Sequence, residues 1–203
     1  MNAKYLFVLL ALTASAPAFA ADADASKTFP TPQSAEGAMA PHVGLVGGFA
    51  DQTGAYKPSV AYGVDAGFQP YIPFGLGIQA LFYNSSYDLN NTVPGYDREG
   101  LKRVEIMLRG TYNFGGDNAI VKGMYVGGKV GAVINKPYIE NNAGNDTSGN
   151  TFTRLGIAPV IGGDYMLGTS RVSLGVEVSY LFVTGPESEM DTFQALVSAK
   201  YWF

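Results

Sequence analysis

Hydrophobic and polar positions alternate with a period of two through most of this chain. Between 59 and 69, Val60, Tyr62, Val64, Ala66 and Phe68 stand against Ser59, Ala61, Gly63, Asp65, Gly67 and Gln69. From 103 to 114, Val104, Ile106, Leu108, Tyr112 and Phe114 oppose Arg103, Glu105, Arg109, Thr111 and Asn113. From 171 to 182, Val172, Leu174, Val176, Val178, Tyr180 and Phe182 oppose Arg171, Ser173, Gly175, Glu177 and Ser179. Successive side chains of a strand point to opposite faces, so each stretch predicts a strand with one apolar face and one polar or small face. Segments of this kind, each about ten residues long, recur between turn-rich breaks at 42–51, 58–70, 74–87, 102–114, 123–135, 152–166, 171–183 and 191–203.

Alternation alone does not say which face meets solvent, since a soluble barrel would turn its apolar face inward. Glycine placement discriminates. The polar face holds Gly44, Gly48, Gly63, Gly67, Gly75, Gly77, Gly127, Gly131, Gly156, Gly162 and Gly175, whereas the apolar face holds Gly47, Gly110, Gly128 and Gly163. Glycine weakens a strand by roughly 0.5–1 kcal/mol relative to alanine, and a water-facing surface gains nothing from it. The narrow lumen of an eight-stranded barrel does need small residues, so that side chains from opposite walls fit past one another. The polar face is therefore predicted to be the inside, and the apolar face to meet lipid.

Composition supports a membrane setting, because 15% of the residues are charged where a soluble protein carries about 25%. No stretch approaches roughly twenty consecutive apolar residues, so the crossing must use strands. Residues 1–20 read as a secretory signal, with Lys4, an apolar run over 5–12 and Ala18-Phe19-Ala20 before the cleavage point. Residues 21–41, with three prolines and no sustained periodicity, read as a flexible periplasmic leader, and 42–203 as the barrel. Removing residues 1–20 leaves 12 basic and 17 acidic side chains, a formal charge of −5, which argues against a nucleic-acid partner. The absence of cysteine excludes thiolate chemistry and zinc–cysteine sites.

The breaks fall into two sets. Turns at 70–73, 115–122 and 168–170 are expected to be periplasmic, and connections 52–57, 88–101, 136–151 and 184–190 extracellular. Phe68, Phe74, Tyr112, Phe114, Tyr165, Tyr201 and Phe203 are expected to girdle the periplasmic interface, with Phe49, Phe82, Phe182 and Phe193 nearer the outer rim. Pro159 falls inside the sixth segment, where a closed barrel has no free edge to tolerate a missing donor, and predicts a bulge or local break.

The final segment, 192–203, alternates apolar residues and ends on Tyr201, Trp202 and Phe203. It looks like the C-terminal signal by which the barrel-assembly machinery recognises outer-membrane proteins, with Tyr201 and Phe203 as its aromatic positions. With the signal peptide and eight strands, residues 42–203 resemble the OmpA-like and OmpX-like small barrels. The resemblance implies an eight-stranded antiparallel up-and-down transmembrane β-barrel of the bacterial outer membrane, in contact with outer-membrane lipids and lipopolysaccharide. Proteins of the full-length OmpA type continue into a peptidoglycan-binding domain; nothing here follows Phe203, so anchoring by such a domain is not implied.

The inward face is expected to carry Asp65, Glu105, Asp164 and Glu177 together with Arg103, Arg109, Lys129, Arg154, Arg171 and Lys200. Charges enclosed in a narrow barrel must pair or be hydrated. The leading expectation is an ion-pair network that occludes the lumen; the alternative is a narrow channel whose basic excess favours anions. A lipid-modifying enzyme would need a nucleophile, a base and an orienting acid within hydrogen-bond reach. His42, the sole histidine, is expected at the periplasmic interface, a membrane thickness from Ser85 and Ser86, so no catalytic set is indicated. Loop 138–150 has oxygen ligands but only Glu140 and Asp146 as carboxylates, without the ordered spacing of a calcium loop, and reads as a solvated surface loop. Loop 88–101, with Tyr96, Asp97, Arg98 and Glu99, is the better candidate for contacting a surface partner, whose identity the sequence does not specify. No metal or organic cofactor is indicated. The expected role is that of an envelope barrel acting through its structure or its extracellular loops.

Overall fold

The computed structural model describes residues 40–54, 56–71, 74–88, 96–114, 121, 123–141, 146–167, 170–185 and 190–203. The signal sequence, the leader as far as 39, and parts of the expected turns and loops lie outside them. The strands are β1 (Ala40–Gln52), β2 (Ser59–Tyr71), β3 (Phe74–Asp88), β4 (Tyr96–Asn113), β5 (Met124–Asn141), β6 (Asp146–Ser148), β7 (Phe152–Met166), β8 (Val172–Val183) and β9 (Thr192–Trp202). Every pairing is antiparallel, the order is β4-β3-β2-β1-β9-β8-β7-β5-β6, and a β4–β5 ladder closes the sheet on itself. Eight strands form the barrel expected from the alternation. The ninth, β6, pairs with 138–140 of β5, above the stretch 124–135 that pairs with β7.

The strands are staggered as well as closed. A row of partners starting at Gly47 runs through Tyr62, Phe82 and Val104 to Ile134 in one direction. In the other it runs through Val197, Val176 and Gly163 to Met124. The two ends land on β5 ten residues apart, the shear that tilts strands in a barrel of this size. Depth in the membrane therefore shifts from strand to strand along any one row.

The outward face is apolar and bare: Leu45 is 70% exposed, Val60 65% and Leu108 62%. Isolated apolar side chains are ordinary on soluble surfaces, but a continuous belt of them around a closed sheet is a lipid-facing surface. Aromatic pairs border it, Phe74 with Tyr112 at 5.5 Å and Tyr201 with Phe203 at 5.3 Å near the end holding the C-terminus, and Tyr180 with Phe182 at 4.8 Å on the other side.

Two boundaries are corrected, and the expectation at Pro159 is met in one of its two forms. β1 begins at Ala40, so the end of the assigned leader is already strand. β4 and β5 are each 18 residues long, so 96–101 and 136–141, assigned to extracellular loops, extend the β4–β5 hairpin beyond the apolar belt. At Pro159 the expected local break is present and the bulge is not: the pairs Ile157↔Phe182 and Val160↔Ser179 keep one register, and the ladder between them is interrupted. The gap lies on the β8 side, while Pro159 remains paired with Gly128 of β5.

Most inward glycines sit against the backbone of a neighbouring strand, and the rest against its side chains. A Cβ on Gly63 would lie 1.9 Å from the Ala80 carbonyl oxygen, and one on Gly131 2.0 Å from that of Ile106. On the outward face, a Cβ on Gly110 would meet nothing within 4 Å. Glycine is thus demanded inside by adjacent strands of a tightly coiled wall, more than by side chains from the opposite wall.

Gly131→Val should impair folding by at least the 1–3 kcal/mol typical of overpacking, whereas Gly110→Val should be tolerated; urea midpoints in lipid vesicles check the pair. Val176→Arg, near the middle of the belt, should cost about 2–4 kcal/mol, while Thr147→Arg, exposed on β6, should be neutral in the same assay.

Candidate functional site: the lumen network

Period-two geometry sends every second side chain inward, and the narrow bore brings those of opposite walls within hydrogen-bond reach. Near the end holding the C-terminus, His42 Nε2 lies 2.8 Å from Asp65 Oδ1, and the imidazole packs on Trp202 at 4.5 Å. The Trp202 indole N–H donates to Ser173 Oγ at 2.9 Å. Lys200 Nζ donates to Asp164 Oδ2 at 2.7 Å and lies 3.9 Å from Asp65.

Arg109 links this group to the middle of the barrel, donating to Asp65 Oδ1 at 3.2 Å and to Glu177 Oε2 at 3.1 Å. Tyr125 donates to the same Glu177 oxygen at 3.0 Å. Lys129 Nζ donates to Glu177 Oε1 at 3.0 Å, Gln79 Oε1 at 3.1 Å and Ser179 Oγ at 3.2 Å. Ser179 donates to Gln194 Oε1 at 3.0 Å, and the Gln194 amide donates to Glu105 Oε2 at 2.8 Å.

Toward the far end, the Tyr83 hydroxyl donates to Glu105 Oε1. Arg103 donates to Tyr83 at 3.1 Å, Thr192 Oγ1 at 2.7 Å, the Met190 carbonyl at 2.9 Å and Asn135 Oδ1 at 2.8 Å. A continuous run of polar contacts thus connects His42 to Arg103. Two apolar clusters flank it inside the barrel, one around Leu81 and Leu196 and one around Met107, Val133 and Leu181. A central cavity ringed by Asp65, Gln79, Arg109, Tyr125 and Glu177 measures about 10 Å³. That is near the least volume able to hold one water.

Of the charged residues assigned to the lumen, Asp65, Arg103, Glu105, Arg109, Lys129, Glu177 and Lys200 are buried there, and Asp164 sits partly exposed at its edge. Arg154 and Arg171 do not join them. Arg154 lies above the last β7–β8 pair, Gly156↔Val183, with its guanidinium 5.3 Å from the Phe152 ring. Arg171 precedes β8 and is exposed in the turn, where its carbonyl accepts the Trp202 backbone N–H at 2.8 Å. Without these two, the four acids face four permanent cations, and the basic excess invoked for an anion channel is absent from the network.

His42, assigned to the interface, is buried inside the lumen. Its even-numbered parity with Gly44 and Gly48 was the available signal. The inward parity of each of their own strands would have found Tyr83, Gln79, Tyr125 and Gln194, neutral residues that join the charged ones. Tyr201 and Phe203 point outward at 44% and 64% exposure, and the Phe203 backbone N–H donates to the Pro41 carbonyl at 3.0 Å. Outside the belt, Glu140 is engaged by Arg98 at 3.1 Å, so that carboxylate belongs to a cross-strand ion pair on the hairpin.

No family model and no curated protein matches the chain. Solved structures do. Neisserial surface protein A superposes with a TM-score of 0.54 at 14% identity over 81% of this chain and 97% of that one. Ail, the attachment invasion locus protein of Yersinia pestis, solved in complex with the heparin analogue sucrose octasulfate, gives 0.51 at 11% identity over 81% and 97%. At these identities the likeness is one of fold. Together with the closed eight-stranded sheet and its apolar belt, it makes this chain a small β-barrel of the bacterial outer-membrane type.

Proposed function

We propose that this barrel is closed to solutes and serves the envelope as an integral structural element, with the extended upper ends of β4 and β5 offered for surface contact. The supporting observation is the continuous network from His42 to Arg103, which occupies the path an ion would follow. Conduction requires sites that bind weakly enough to release. Here a permeating ion would have to part buried pairs, and removing one partner of such a pair costs about 3–5 kcal/mol. The balance of four acids and four cations also gives the lumen no fixed charge with which to select anions.

The paired upper ends of β4 and β5, 96–101 and 136–141, with β6 beside them, continue the barrel wall past the apolar belt. Recognition commonly sits on segments held by a rigid scaffold, and this extension is held by the β4–β5 ladder on one side and by β6 on the other. Tyr201 and Phe203, outward on the last strand, serve in this reading as the signal read by the assembly machinery. The His42–Asp65 pair is covered by Trp202, and Ser85 lies at the opposite end of the barrel, so the reading includes no catalysis.

Purified, refolded protein in a planar bilayer should pass no sustained current, with heat-modifiable gel migration verifying that the barrel has formed. Sustained, salt-dependent conductance from folded protein would overturn the closed-lumen reading.

A further inference from the structure

The lumen network balances its charges as a whole but not along its length. Toward the end holding the C-terminus, Asp65, Asp164 and Glu177 lie in direct ion pairs with Arg109, Lys129 and Lys200. Arg103, toward the extracellular end, is held differently. Among the described residues its partners are all neutral: the Tyr83 and Thr192 hydroxyls, the Met190 carbonyl and the Asn135 side-chain carbonyl. Glu105 is joined to it only through Tyr83. Arg103 is 2% exposed, and its Nη2 has no hydrogen-bond partner. The Nε–H and one Nη2–H of a guanidinium point the same way along one edge of a rigid fork. Asn135 takes the first, so the second is aimed along the β5 side of the bore.

Arg154 stands on that side. Asn135 of β5 pairs with Arg103 of β4 and with Phe152 of β7, and the next inward residue of β5, Val133, pairs with Arg154. Among the described residues Arg154 makes no hydrogen bond or ion pair; its guanidinium lies over the Phe152 ring and beside Gly185, where a Cβ would come 3.2 Å from Nε. The apolar cluster of Val133, Leu181 and Val183, with Met190 packed on it, forms a floor on this side of the bore. Two guanidiniums thus occupy neighbouring inner walls at the extracellular mouth, neither paired directly with a carboxylate among the described residues and one with a buried N–H unused.

We propose that Arg103 and Arg154 form a dead-end site at the extracellular mouth for a small divalent oxyanion of the sulfate or inorganic phosphate class, taken from the outside solution. Planar guanidinium donors match the oxygen edges of such an anion, and charge-assisted hydrogen bonds are about twice as strong as neutral ones. Both arginines belong to the inner side of the wall, so a bilayer lipid does not reach them. The site goes beyond the closed-lumen reading: the anion binds at the mouth and goes no deeper. Conductance would overturn the closed lumen and leave this site to be judged by binding alone.

The test titrates the full barrel, refolded in phosphatidylcholine nanodiscs, with sodium sulfate and with sodium chloride at matched ionic strength, and follows arginine side-chain nitrogen resonances by NMR. Sulfate should shift Arg103 and Arg154 saturably and leave Arg109, held between Asp65 and Glu177, unmoved. Arg154→Gln should weaken sulfate binding by about tenfold or more, the factor carried by one hydrogen bond to a charged group. Arg103→Lys, which keeps the charge and removes the free edge, should weaken it as well. Heat-modifiable migration verifies that each variant forms the barrel; if Arg103→Lys does not, the parent titration and Arg154→Gln decide. Absence of a saturable shift, equal shifts with chloride, equal movement of Arg109, or undiminished sulfate affinity in Arg154→Gln would each overturn the proposal.

Discussion

A charged side chain that points into a narrow barrel is removed from bulk water on every side, and it must find a partner inside the bore. Leaving a single buried charge unpaired costs several kcal/mol, a large share of a domain's net stability. The closed wall forces Arg109 to lie between Asp65 and Glu177, and Lys129 to gather Glu177, Gln79 and Ser179. The partners come from strands far apart in sequence: the Arg103–Thr192 contact joins residues 89 positions apart, and Arg109–Glu177 joins residues 68 apart. The network therefore ties opposite walls together, and the same contacts that satisfy the charges fill the space through which a solute would pass.

The wall that makes this possible depends on small residues at close backbone approaches. Adjacent strands crowd at Gly63 and Gly131, and the room saved there lets Arg103, Tyr83 and Met107 occupy the lumen as fully buried side chains. The outer face carries the opposite requirement. It needs bulk to meet lipid, and among the described residues its charges appear where the belt ends, as at Lys102 and Lys136.

Strand number, pairing and the inner and outer faces were legible because a period of two leaves one residue's parity to decide the rest of its strand. Depth was not legible. Arg154 and Arg171 share parity with lumen residues, yet the stagger of the barrel puts the first above the β7–β8 ladder and the second in a turn before β8. The ends of β4 and β5 were hidden for a related reason: beyond the lipid, neither face of the hairpin must be apolar, so 96–101 loses its alternation while its ladder continues. His42 was assigned by its place at the start of a segment, although its parity with Gly44 and Gly48 pointed inward. The neutral members of the network escaped notice because a search for charges passes over Tyr83, Gln79 and Gln194, whose hydrogen bonds connect one ion pair to the next.

The most direct test is a cross-lumen distance in a lipid bilayer. Solid-state NMR on protein labelled at the Lys129 side-chain nitrogen and the Glu177 carboxyl carbon reads the link between β5 and β8, whose Nζ and Oε1 stand 3.0 Å apart. A strong dipolar coupling, abolished in Glu177→Gln only if the pair is ionic and retained if the hydrogen bond alone holds it, would place these groups in contact across the bore as described. No measurable coupling in folded, membrane-inserted parent protein would mean that the walls are separated by water, and the account of a filled lumen would fail.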